Sequence, residues 1–144
     1  MDQFIVFLQK NPYHLILFAM VVISGGMLLF PLFKRGMRGG GAEVEPTGAV
    51  MLINRSDAVV IDLRDDKEFA EGHITGSRNI PEAKLEDRMR ELEKFKGKPV
   101  IVACASGRRA QAVTGQLRKS GYAEAVTLRG GIAGWRQAGM PLEK

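Results

Sequence analysis

Val100-Ile101-Val102-Ala103-Cys104-Ala105-Ser106-Gly107-Arg108-Arg109-Ala110 is the stretch on which the reading of this chain turns. An apolar, β-branched run ends at the only cysteine. A small, polar, glycine-containing turn follows, and two arginines lead into a helical pattern, Arg109 to Ser120. A strand that enters a tight turn and then a helix start gathers backbone N–H groups around one point. It also adds the positive end of the helix dipole. The thiolate is the nucleophilic form of cysteine, and such a setting stabilises it. A lone cysteine at a strand end can equally be a small apolar core residue. A core strand, however, does not need a glycine and two cations directly after it.

Working outward, the same alternation recurs. Thr47 caps a short helix over 48–54, and Ala58 to Asp62 reads as a strand. Asp65 to Glu71 reads as a helix ended by Gly72, and Ser77 to Asn79 as a short strand. Pro81 opens a helix running to about Leu92. Pro99 to Ala103 is the central strand, Arg108 to Lys119 a helix ended by Gly121, Ala125 to Thr127 the last strand, and Gly130 to Ala138 the final helix. Short apolar strands alternating with helices predict an α/β domain with a mainly parallel central sheet flanked by helices. Sites in such sheets lie at the carboxyl ends of strands, where both Cys104 and Asp62 fall.

Four segments, in order, resemble the rhodanese family: Asp62-Leu63-Arg64; Glu68-Phe69-Ala70-Glu71-Gly72-His73-Ile74-Thr75-Gly76-Ser77-Arg78-Asn79-Ile80-Pro81; the cysteine loop; and Gly130-Gly131-Ile132-Ala133-Gly134-Trp135. The resemblance spans roughly residues 45 to 142. It implies a rhodanese-like domain and sulfur transfer, in which Cys104 attacks the outer sulfur of a donor such as thiosulfate or a persulfide. A thiol or cyanide then takes the sulfur from the resulting Cys104 persulfide. Ala105, Ser106, Gly107, Arg108 and Arg109 are the expected substrate-binding residues, through loop N–H groups and the two cations. Asp62 and Arg64 are expected in support, either orienting the loop through ion pairs or acting structurally as a cap and a loop clamp. The turn setting of His73 favours a structural hydrogen bond, and Trp135 is expected to pack the last helix into the core. Four residues separate Cys104 from Arg109, whereas cysteine phosphatases place five between cysteine and arginine, so the loop resembles the sulfurtransferase type. Many active family members carry arginine directly after the cysteine, and here Ala105 stands there. A non-catalytic module that binds a partner at the membrane, and a carrier of persulfide sulfur, are the competing readings.

The charge of +5 is unevenly placed. Residues 1–42 hold four Lys/Arg and one acid, a net +3, and residues 43–144 hold 17 basic and 15 acidic residues, a net +2. With no stripe of interleaved aromatic and basic residues, nucleic-acid binding is not expected. One cysteine forms no internal disulfide, and with His14 and His73 it makes no metal cluster, so neither metal nor cofactor is expected.

Leu15 to Phe33 carries no charge over 19 residues, near the length that crosses a hydrocarbon core. The expected organisation is an anchor over 1–34 with one N-terminal transmembrane helix, a flexible Gly-rich tether over 35–46, and the rhodanese-like domain over 47–144. A cleaved signal peptide fits less well, because the first cation is Lys10 and the apolar stretch is long. Lys34, Arg35 and Arg38 follow the apolar stretch and only Lys10 precedes it. The positive-inside rule then puts the N-terminus outside and the domain in the cytoplasm, on the inner membrane. The expected partners are a small anionic sulfur donor, a thiol acceptor or a protein persulfide, and the membrane.

Overall fold

The computed structural model describes residues 13, 16, 20, 21, 23 and 42–144. The chain divides into two units, residues 1–38 and 39–144. In the first unit, the five described residues are helical and exposed. The anchor expected over Leu15–Phe33 and its flanking cations otherwise lie outside the described residues, among which no helix is long and apolar enough to cross a membrane.

The second unit is an α/β domain. Its strands are β1 (Glu43–Val44), β2 (Val59–Asp62), β3 (Arg78–Asn79), β4 (Val100–Ala103) and β5 (Ala125–Leu128). They form one sheet in the order β1-β5-β4-β2-β3, and every pairing is parallel. The helices are α1 (Pro46–Ser56), α2 (Asp66–Glu71), α3 (Met89–Leu92), α4 (Arg108–Lys119) and α5 (Gly131–Gln137).

Side-chain alternation along the strands sorts the core into two layers. Ile61, Val100 and Val102 face one side, where they meet Leu92, Phe95 and the α4 residues Ala110, Val113 and Leu117. Val60, Ile101 and Ala103 face the other, against Ala49 of α1 and Ile132 and Trp135 of α5. All four residues of β4 are buried, which explains their uninterrupted apolar character: a central parallel strand is covered on both faces.

Three boundaries differ from the sequence expectation. Glu43 and Val44 form an edge strand on Thr127 and Leu128, so the ordered domain begins inside the expected tether. Helix α1 opens at Pro46, whose missing N–H suits a first helical position, rather than after a Thr47 cap. The helix expected from Pro81 to Leu92 is instead a 3-10 turn at Glu82–Lys84 and the single α-turn α3, with a second 3-10 turn at Glu93–Phe95 after it. The apolar residues Met89, Leu92 and Phe95 recur every third position, across the α-turn and the 3-10 turn that follows it, and Leu92 and Phe95 are buried in the core.

Candidate active site

Cys104 follows β4 directly, and its side chain continues the alternation of Val100 and Val102 into the α4-side core, with 0% of the residue exposed. The sequence places the thiol at a strand end, and the structure buries it there completely. Above it, Ala105 is half-buried and Ser106 exposed. Gly107 caps α4 at φ 92°, a left-handed conformation that glycine takes without steric cost, and its N–H donates to Cys104 Sγ at 3.0 Å. Among the described residues, the N–H groups of Ala105, Ser106, Arg108 and Arg109 have no protein acceptor. The loop therefore carries four free N–H donors beside the one that meets the sulfur, the composition of an anion nest.

The structure brings Arg108 and Arg109 to the first turn of α4. Both are exposed, and neither has an ion pair among the described residues. No acidic residue occupies that turn. Two cations at the positive end of a helix are unfavourable by about 0.3–1 kcal/mol each. A bound anion would offset that cost.

The loop is held from its other side by α5. Ile132 N–H donates to Cys104 O at 2.9 Å and Ala133 N–H to Ala105 O at 3.1 Å. This close approach depends on Gly131, at φ 60°, where a Cβ would lie 2.3 Å from Cys104 O. Sequence reasoning used the Gly130-Gly131 pair as a family mark without giving it a task. Two adjacent glycines before a short helix were the available signal.

Asp62 and Arg64 do not reach the cysteine loop with their side chains. The Asp62 carboxylate accepts from Arg64 Nε at 2.9 Å and Nη2 at 2.7 Å, and Arg64 Nη2 also donates to Gly72 O at 2.8 Å. Both residues are buried, at 0% and 5% exposure. They clamp the β2–α2 connection, while the cap of α2 is Asp65, which accepts from Glu68 N–H. His73 is likewise structural: it stacks on Phe69 at 3.9 Å, its Nδ1 lies 2.9 Å from Phe69 O, and its backbone bridges to Glu143. Trp135 packs in the core as expected and donates its indole N–H to Pro141 O at 2.9 Å. Among the described residues, no cluster of His, Cys, Asp or Glu could hold a metal ion.

The model of the rhodanese-like domain matches residues 46–138. The chain belongs to the rhodanese-like family. Curated relatives include the uncharacterized protein YibN of Escherichia coli, 44% identical over 95 residues, which are 65% of this chain and 66% of YibN. The chain thus matches just under two thirds of that relative's length. Thiosulfate sulfurtransferase GlpE of Pseudomonas fluorescens is 33% identical over 91 residues, covering 63% of this chain and 82% of GlpE. Among solved structures, a rhodanese-related protein from Thermoplasma volcanium superposes with a TM-score of 0.64 at 29% identity, covering 71% of this chain and 97% of that one.

Proposed function

We propose that this rhodanese-like chain is a sulfurtransferase that works through a persulfide on Cys104. The observation that carries the proposal is the Gly107 N–H aimed at Sγ, within a loop whose other N–H groups are free. The thiolate attacks the outer sulfur of thiosulfate; the new S–S bond forms as the old one breaks, and sulfite leaves with the bonding pair. With a persulfide donor, the leaving group is the donor's thiolate. The anionic terminal sulfur on Cys104 then rests among the loop N–H groups until cyanide or a thiolate acceptor attacks it and regenerates the Cys104 thiolate. Arg108 and Arg109 draw anionic donors to the loop mouth. The sulfurtransferase name carried by GlpE supports the same chemistry. The reading extends to a single-pass anchor over Leu15–Phe33, N-terminus outside and domain in the cytoplasm, supported by the uncharged run and the three cations after it.

The full burial of Cys104 and the alanine at position 105 favour a second reading, a non-catalytic module that binds a partner at the membrane. The intact mass of the full-length protein after exposure to thiosulfate decides between them. A gain of one sulfur atom that is lost on reduction, and is absent in Cys104→Ser, is the expected result. No gain with either thiosulfate or a small-molecule persulfide would overturn the sulfurtransferase assignment.

A further inference from the structure

We infer that the first turn of α5, with Gly131 at its start, is the positioning device that turns the cysteine-loop N–H groups toward the thiolate. The inference rests on Cys104 being the reactive group of the proposed function. It follows from three observations. The Cys104 side chain lies on the α4 face of the sheet, whereas α5 packs on the opposite face. From that face, Ile132 and Ala133 N–H capture the carbonyls of Cys104 and Ala105. In a planar trans peptide, C=O and N–H point in opposite directions. Drawing those two carbonyls toward α5 therefore turns the Ala105 and Ser106 N–H groups away from it. They then share the side on which Gly107 N–H already meets Sγ at 3.0 Å. The donors of the nest thus owe their direction to a helix on the opposite face of the sheet from the sulfur.

Gly131 makes the arrangement possible. At φ 60° it delivers α5 so close that an added Cβ would meet Cys104 O at 2.3 Å and the carbonyl carbon and oxygen of Ala105 at 2.8 Å. Gly130, at φ 73°, precedes it as the cap. Any side chain at 131 must push the loop and α5 apart and release the two carbonyls to rotate.

The test compares Gly131→Ala with Gly139→Ala in the full-length protein. Gly139 sits at φ 73° with nothing among the described residues within 4 Å of an added Cβ, so it carries the same left-handed backbone strain without the clash. The readout is the pH profile of Cys104 alkylation by a neutral reagent. Greater exposure multiplies the rate at every pH, whereas loss of donors to the thiolate displaces the profile to higher pH. The charged groups at this end of the sheet include the paired Asp62 and Arg64, Arg129 with its partners Glu43 and Glu45 at the end of β5, and Arg108 and Arg109 on α4; all are retained in both variants. The expected displacement is about one pH unit for Gly131→Ala, and none for Gly139→Ala.

Ala133→Pro provides a second route should Gly131→Ala fail to fold. It removes the N–H that meets Ala105 O and puts a ring carbon in its place, so that this carbonyl must turn away, at an exposed position in the first helical turn, where proline is best tolerated. A displacement in the same direction is expected there. An unmoved profile in a folded variant of either kind overturns the inference. The alkylation profile requires no sulfur donor, so it remains readable even if wild-type protein takes up no sulfur, the outcome that would end the sulfurtransferase assignment instead.

Discussion

Replacing Asp62 with alanine should be among the most damaging single changes in the domain, and the damage should be to stability. The carboxylate accepts from Arg64 N at 3.1 Å, from Nε at 2.9 and 3.1 Å and from Nη2 at 2.7 Å. Without it, a guanidinium in a residue only 5% exposed keeps Gly72 O as its remaining acceptor. Removing one partner of a buried ion pair costs about 3–5 kcal/mol, because the other charge is left unpaired. For a domain of about 100 residues, each kcal/mol lowers Tm by roughly 4–8 °C, so the melting point should fall by at least ~12 °C. Trp135, the only tryptophan, is 4% exposed and reports the loss of the core on urea unfolding. The midpoint should drop while the m-value stays constant. The double variant Asp62→Ala/Arg64→Met should lose less than the sum of its single variants, since it leaves no unpaired charge. A loss below about 1 kcal/mol for Asp62→Ala, or strict additivity in the double variant, would refute the clamp.

Arg108→Ala and Arg109→Ala should each stabilise the domain by about 0.3–1 kcal/mol, because a cation leaves the positive end of α4. They should also lower kcat/KM for thiosulfate; a variant that loses stability, or keeps its turnover, contradicts the reading. Ala105→Arg should raise kcat/KM for thiosulfate roughly tenfold by adding a forked donor at the loop, with little change for an uncharged donor. Assays at two salt concentrations check this, since the gain should shrink with screening. Burial, with Glu93 adding to it, holds the Tyr122 phenol above its usual pKa of 10.0, and its hydroxyl has no partner among the described residues. The unfolded chain then loses that proton first, so this group's share of stability is present below pH ~10 and declines as pH rises further. Tyr122→Phe should be neutral to slightly stabilising at pH 7 and should flatten the alkaline decline, as measured by urea unfolding across pH.

What the sequence disclosed and what it withheld have physical reasons. Strand β4 and helix α4 were legible because a run of buried β-branched residues and a glycine-led helix start are local signals. The Cys104 nest followed from them, since a strand, a tight turn and a helix lie within one short stretch. The split of the 81–92 segment was hidden because helix propensity there is ordinary, and the every-third spacing of Met89, Leu92 and Phe95 matters only once the core is in place. Edge strand β1 was hidden among glycines and acids because its pairing partner, Thr127–Leu128, lies near the other end of the domain. The roles of Asp62 and Arg64 could not be separated by sequence, because a carboxylate at a strand's end can equally face a site or a neighbouring loop. Gly131 was visible as a residue but not as a contact, for its significance is a distance to Cys104 O across the molecule.

The pairing of β1 with β5 also governs the order in which a growing chain can complete this domain. Glu43 finds its place only beside Thr127, and β4 receives its second neighbour only when β5 has been made. The His73–Glu143 bridge then waits until Glu143 has been made. A chain still being synthesised can join β2 to β4 but must leave both β1 and the outer side of β4 open. Unpaired strand edges of that kind invite pairing with other chains. During this interval the Cys104 and Ala105 carbonyls also lack their α5 donors. The protein therefore completes its sheet and its cysteine loop late, only once β5 and then Gly131 and the residues after it have been made and can fold back.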